Sequence, residues 1–199
     1  MPLQWCLAPR RARAYRAGVV LFVPAAAGTE GALRDELREL RLRVRADRGG
    51  VHVLGARPTD VWKVCVLSRI AIRVLVPVAT FECADEDALY GGVHDLDLGE
   101  HLDPRLTIAV SAVAKDGPVT HTSYIAQRTK DAIVDRQRRE KGLRSSVDRD
   151  DPDVAIFVHL KGGVARVFLD ASGQSLHLRG WRNQTGGVAP LKETLRSEE

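Results

Sequence analysis

The sequence lacks most of what a disulfide-framed, metal-organised or membrane-spanning protein needs. Its three cysteines, Cys6, Cys65 and Cys83, are far apart, with no CxxC pair and no Cys/His cluster at metal spacing. That pattern excludes a disulfide scaffold and a structural zinc site, and it fits a reducing, cytoplasmic setting. The longest apolar runs, such as Gly18 to Ala27, fall short of the roughly 20 residues that cross a bilayer, so no membrane partner is expected. Gly and Pro together make 26 of 199 residues, close to the globular average, which removes collagen-like and low-complexity readings. No GxxxxGK[ST] loop occurs, and the doublets Gly49-Gly50, Gly91-Gly92, Gly162-Gly163 and Gly186-Gly187 read as turns. His121, Ser123 and Asp131 are triad residue types, but no nucleophile elbow surrounds Ser123. Asp148, Asp150, Asp151 and Asp153 are interrupted by Pro152 and lack EF-hand spacing, so they read as a solvated loop. No catalytic, cofactor-binding or metal-ligating residue is therefore expected in this chain.

What is present is an apolar complement of 44%, enough for one ordinary domain or two small ones, and an uneven charge. From Glu82 to Asp103 there are eight acidic residues and no Lys or Arg, which leaves 30 basic against 18 acidic residues, a net of +12, elsewhere. Such a split suggests a basic surface for a polyanion and an acidic side turned away from it. Arg outnumbers Lys 24 to 6. A general preference for Arg codons would give this ratio, and so would selection for guanidinium forks that hold phosphates and stack on exposed bases.

Residues 1–16 carry Arg10, Arg11, Arg13 and Arg16 and no acid, as a basic arm, a targeting peptide or a poorly ordered start would. Val19 to Val23 reads as a buried strand. Thr29 and Glu30 open a helix with Leu33, Leu37 and Leu40 at helical spacing, its wet side holding Arg34, Arg38 and Arg41 offset by Glu36 and Glu39. Arg43 to Arg45 and Val51 to Val53 alternate as strands around a glycine-rich turn. A helix from about Thr59 to Ser68, started by a Thr59 cap and Pro58, and a strand Arg73 to Val78 complete the order β-α-β-β-α-β, a ferredoxin-like unit over residues 17–81. Residues 82–104 read as an acidic connection with a short helix at Asp85 to Tyr90. A second unit follows. Its strand is Leu106 to Ser111, and its most persistent helix is Ser123 to Lys141, with Ile125, Thr129, Ala132 and Ile133 inward and Arg128, Asp131, Asp135, Arg138 and Arg139 outward, ended by Gly142. A hairpin joins Ala155–His159 to Ala165–Leu169 across Lys161-Gly162-Gly163. The fold class expected is α+β.

Four ordered segments carry a resemblance. Lys130-Asp131-Ala132-Ile133-Val134-Asp135-Arg136, Val147 to Asp153, Leu169 to Arg182 and Ala189-Pro190-Leu191-Lys192-Glu193-Thr194-Leu195 strongly resemble the bacterial THUMP-containing methyltransferases that make N2-methylguanosine in 23S ribosomal RNA. Gly28-Thr29-Glu30 and Cys65 to Leu75 look like the ferredoxin-like part of that family. The resemblance implies a small ferredoxin-like unit followed by an α/β THUMP domain. The THUMP core would occupy 105–190 and take in part of the preceding connection, with 191–199 a truncated linker. It also implies that THUMP helps place RNA, while S-adenosylmethionine belongs to a Rossmann-like catalytic domain entered near Leu191 to Leu195. The glycine-rich cofactor loop and the Asn/Asp-Pro-Pro-aromatic motif of that domain do not occur before Glu199, and Arg196 to Glu199 stand where a small apolar run is usual. This chain by itself is therefore expected to be non-catalytic and to bind no cofactor. Gln137 replaces the aromatic common after the Asp-Arg pair, and Arg136 sits near the apolar arc.

The function expected is an RNA-binding module, with ribosomal RNA as partner. Arg128, Lys130, Arg138, Arg139 and Lys141 would contact phosphates, and Arg179 and Arg182 would flank a Trp181 that either stacks a base or packs in the core. The alternative is an assembly module partnering a separately encoded methyltransferase subunit through Ala189 to Leu195.

Overall fold

The computed structural model describes residues 19–96, 98, 102–173 and 175–176. They fall into two compact units, one reaching to Val76 and resuming at Ala171, the other running from Pro77 to Asp170. The basic arm, Cys6, the Gly186-Gly187 doublet, Arg179, Trp181, Arg182 and Ala189 to Leu195 lie outside the described residues.

In the first unit, β1 (Val19–Pro24), α1 (Glu30–Glu39), β2 (Val44–Asp47), β3 (Gly50–Ala56), α2 (Pro58–Leu67) and the start of β4 (Leu75–Glu82) follow the β-α-β-β-α-β order. The strands lie β2-β3-β1-β4, each antiparallel to its neighbour. Leu21, Val23, Val51 and Val53 are buried together with Leu33 and Leu37 of α1 and Val61 and Val64 of α2. Each such side chain contributes about 1.5–3 kcal/mol, so the alternation of the strands and the helical spacing of the leucines fix which face is inside. The helix starts differ from expectation. Thr29 stands at the α1 N-cap, but its hydroxyl donates to the Ala26 carbonyl. At α2, Pro58 is the first helical residue because its fixed φ and missing N–H suit that position. The cap is therefore Arg57 rather than Thr59, and the Asp60 carboxylate accepts the Arg57 N–H at 2.9 Å. Glu36 does more than offset charge, since its carboxylate accepts the Ser68 hydroxyl and the Arg69 N–H at the end of α2. The strand expected from Arg73 starts at Leu75; the Val74 carbonyl accepts the N–H of Ala171 and the Ile72 carbonyl that of Leu176 as the chain returns.

The second unit contains the rest of β4, α3 (Glu86–His94), β5 (Ile108–Lys115), α4 (Thr122–Lys141), β6 (Val154–Lys161) and β7 (Val164–Asp170). β5 pairs parallel with β6, so the chain must cross over between them, and α4 is that crossover. β6 pairs antiparallel with β7 through Gly162 and Gly163, whose φ of 56° and 74° make the two-residue turn their doublet predicts. The expected strand at Leu106 begins and ends later, because the pairing runs in register from Ile108↔Val154 to Lys115↔Lys161. The Gly91-Gly92 doublet is not a turn. It lies inside α3, which continues four residues past Tyr90 to bury Leu89 and Val93, and a methyl group at Gly92 would overlap the Phe81 ring. Cys65 and Cys83 are buried in their respective units.

Candidate nucleic-acid interface

Helix α4 faces different neighbours on its two sides. Toward α3, Arg128 lies over the Tyr90 ring, 4.5 Å from its centre, and reaches Asp87 at 2.9 Å. The Tyr90 hydroxyl donates to Asp135 at 2.9 Å, which raises the phenol's pKa, with desolvation adding to the shift. Tyr90 in turn stacks on His94. Arg136 explains its place beside the apolar arc. Its Nη1 donates to the carbonyls of His94 and Leu96 at 2.9 and 2.7 Å, capping the end of α3, while its Nε pairs with Glu140 one turn on. Gln137 is buried as well, exchanging hydrogen bonds with the N–H and hydroxyl of buried Ser145 at 2.8 and 3.0 Å.

Toward β5, α4 borders a groove of about 560 Å³. One wall is β5 at Val110, Ser111 and Ala112; the other is the first turns of α4 at Thr122, Ser123, Ala126, Gln127 and Lys130; Val147 and Arg149 close one end. Three properties suit it to an anionic chain. Among the described residues it is lined by two cations and no carboxylate. The N-terminus of α4, with no acid in its first turn, brings the positive end of a 20-residue helix and its unpaired N–H groups to the rim. The hydroxyls of Thr122 and Ser123 offer neutral donors, while that of Ser111 already donates to the Ile156 carbonyl. Of the acids around Arg149, Asp148 accepts the N–H of Asp150 and Asp151, which lowers its pKa, and Asp153 accepts both the N–H and hydroxyl of Thr107, while Asp150 and Asp151 are exposed. No group of metal-ligating side chains occurs among the described residues.

Of the described basic residues singled out by sequence, only Lys130 lines this groove, and it also pairs with Asp131. Arg138 is exposed, 3.8 Å from Asp135, and Arg139 and Lys141 are exposed in the last turn of α4. At 3.6 residues per turn, Lys130, Arg138 and Lys141 lie within about 80° of one another around the helix, with Arg128 and Arg139 on the other side. The structure thus separates Arg128, held on α3, from the cations on the groove side. The groove hydroxyls and Arg149 escaped sequence reasoning. The signal was the run His121-Thr122-Ser123, a polar helix start without an acid.

Comparison with known proteins follows the same division. Residues 20–75 match the RlmL ferredoxin-like domain, and residues 83–170 match the THUMP domain. Over 180 residues the chain is 40% identical to the ribosomal RNA large subunit methyltransferase K/L of Syntrophotalea carbinolica, covering 90% of this chain and 25% of that protein. It therefore spans about a quarter of that relative's length. Among solved structures, SMU.472, assigned as a candidate methyltransferase and crystallised with SAH, superposes with a TM-score of 0.76 at 28% identity, over 90% of this chain and 47% of its own. TrmN from Thermus thermophilus shares the fold with a TM-score of 0.59 at 22% identity, over 81% of this chain and 48% of its own.

Proposed function

We propose that this chain, an RlmL-type ferredoxin-like domain joined to a THUMP domain, binds RNA, ribosomal RNA in particular, and positions it for a methyltransferase domain. The observation that carries the reading is the groove between β5 and the start of α4, which among the described residues has Lys130 and Arg149 and no carboxylate in its lining. Phosphate oxygens of one strand would meet the helix N-terminus, the hydroxyls and these two cations. Arg138 and Lys141 would continue the path along the helix, whereas Arg139, on its other side, would stand apart from it. Arg128 would act mainly through α3. S-adenosylmethionine would be held by the catalytic domain, so the residues derived above serve RNA alone. Among the described residues no helix is long and apolar enough to cross a membrane, and the basic surface is left for a polyanion in solution.

The test is RNA affinity as a function of salt for the chain and for Lys130→Glu combined with Arg149→Glu. Each neutralised phosphate contributes roughly 0.7 to 0.9 to the logarithmic salt slope. The double variant should bind at least about tenfold more weakly, with a slope lower by about 1.5 and an unchanged melt. Equal affinity and slope in the two proteins would remove the groove from the reading.

A further inference from the structure

In the second unit Ile108, Ile156, Val158, Leu160, Ala165 and Val167 are buried, so the residues that alternate with them lie on the other face of the sheet. On β5 these are Ser111, Val113 and Lys115, all exposed. The register sets them in rows: Val113 is opposite His159 of β6, which is opposite Arg166 of β7, and in the next row Lys115 is opposite Lys161. Neighbouring strands are about 4.8 Å apart, and like charges directly opposite one another destabilise a sheet. No carboxylate relieves this pair. Asp116 at the end of β5 and Glu82 at the end of β4 are exposed, and among the described residues Lys115, Lys161 and Arg166 form no ion pair. His159 stands in the same field: burial and then the charges of Arg166 and Lys161 hold its imidazole below the ordinary value of 6.5. The cluster is also fixed in place. The Gly162 N–H donates to the carbonyls of Lys115 and Asp116 at 3.3 and 3.0 Å, which ties the end of β5 to the hairpin that carries Lys161.

We infer that Lys115, Lys161 and Arg166 form a second phosphate-holding site, which takes an RNA strand onward from the groove along β5. The inference rests on the reading of the chain as RNA-binding and extends the contact surface to the other face of the sheet. Two observations tie the cluster to the groove. Ser111, in the groove lining, and Lys115 lie on one face of the same strand, about 13 Å apart. Between them Val113 is 47% exposed, an apolar surface for a sugar or base to cover. Two lysines held side by side without an acid cost stability in the unliganded protein, and a phosphate chain removes that cost by neutralising both. An acidic peptide would answer the charge alone, whereas a strand already seated in the groove reaches the cluster without a second partner.

The experiment uses the whole chain and mixed-sequence single-stranded ribo-oligonucleotides of about four and about twelve nucleotides, lengths within the range of single-strand sites. Lys115→Glu with Lys161→Glu should weaken binding of the longer strand about tenfold and lower its salt slope by roughly 1.4, at about 0.7 per phosphate, while the shorter strand, which the groove accommodates, is nearly unaffected. Lys161→Glu alone sets opposite charges side by side, so its melting temperature should equal or exceed that of the parent while it binds the longer strand several-fold more weakly. That variant separates loss of contact from loss of fold. Unchanged affinity and slope for the longer strand, or equal losses for both lengths, would overturn the inference. An oligoglutamate of equal charge that binds the cluster as tightly as the longer strand would assign it to an acidic protein instead. Absence of RNA binding by the parent at low salt would remove the function proposed above and this site with it. Should Lys130→Glu with Arg149→Glu weaken both strands while the Lys115 and Lys161 variant binds normally, the groove reading stands and this one falls. The opposite pattern keeps the cluster as a phosphate site and removes the groove.

Discussion

The two sides of α4 hold similar numbers of charged groups and use them differently. On the α3 side, Arg128 and Arg136 have specific neighbours: a tyrosine ring, an aspartate, the last carbonyls of a helix. On the β5 side, Lys130 and Arg149 line a groove that among the described residues has hydroxyls and no carboxylate in its lining, and Lys130 pairs only with its neighbour Asp131. A guanidinium placed on a helix end or an aromatic ring stabilises the fold and has fewer donors left for a ligand. A cation at a groove adds little to stability because water already solvates it. Charge counted along a sequence therefore overstates the surface available for RNA, and the correction is largest where two helices pack.

That difference can be tested by substitution. The largest effect on stability is expected for Arg136→Ala, which leaves the carbonyls of His94 and Leu96 without their charged donor and should cost about 1.5–3 kcal/mol in chemical denaturation. RNA affinity of the fraction that remains folded should stay the same; a parallel loss of affinity with no loss of stability would place Arg136 on the ligand side instead. Next is Arg138→Ala with Arg139→Ala, expected to weaken RNA binding several-fold and lower the salt slope by at most about one unit, because only Arg138 stands on the groove side and each contact contributes somewhat less than one. Since both are exposed, the melt should shift by no more than about half a kcal/mol equivalent. Arg128→Ala should be smaller, about 1 kcal/mol of stability from the lost ring contact, with the salt slope unaltered. A slope that falls by nearly one unit would return Arg128 to the RNA surface.

Much of this was legible in the sequence, for physical reasons. The leucines of α1, the Ile125-Thr129-Ala132-Ile133 arc of α4 and the Gly162-Gly163 turn carry local periodicity or a φ requirement, which neighbours rarely overrule. Gly91-Gly92 was misread because a glycine pair signals a turn by local rules, whereas here Gly92 makes room for Phe81, a neighbour eleven residues away. Arg136 and Gln137 were anomalies on an apolar arc until the structure supplied their partners, the end of α3 and Ser145. The groove depends on a tertiary meeting of β5 and α4. Its hydroxyls have no periodicity of their own, and Arg149 was concealed among four aspartates, of which Asp148 closes the loop by accepting the N–H of Asp150 and Asp151.

The smallest effect, and the finest test of the α3 side, is expected from Tyr90→Phe. The ring remains under Arg128 and against His94, so only the hydroxyl that donates to Asp135 is removed, at a cost of roughly 0.5–1 kcal/mol. Acceptance of that proton by Asp135 raises the pKa of Tyr90 above its ordinary value of 10.0, with desolvation and the charge of Asp135 acting in the same direction and Arg128 opposing them. A group whose pKa is raised by folding contributes stability that is fully present below its unfolded value and is lost as pH rises through the folded one. The difference in stability between the parent chain and Tyr90→Phe should therefore be constant from neutral pH to about 10 and shrink above it. RNA affinity at neutral pH should be equal in the two proteins. A difference that is absent at neutral pH, or one that grows above pH 10, would show that the bond between Tyr90 and Asp135 does not tie α3 to α4. Reduced RNA affinity in Tyr90→Phe would show that the two sides of the helix are not independent.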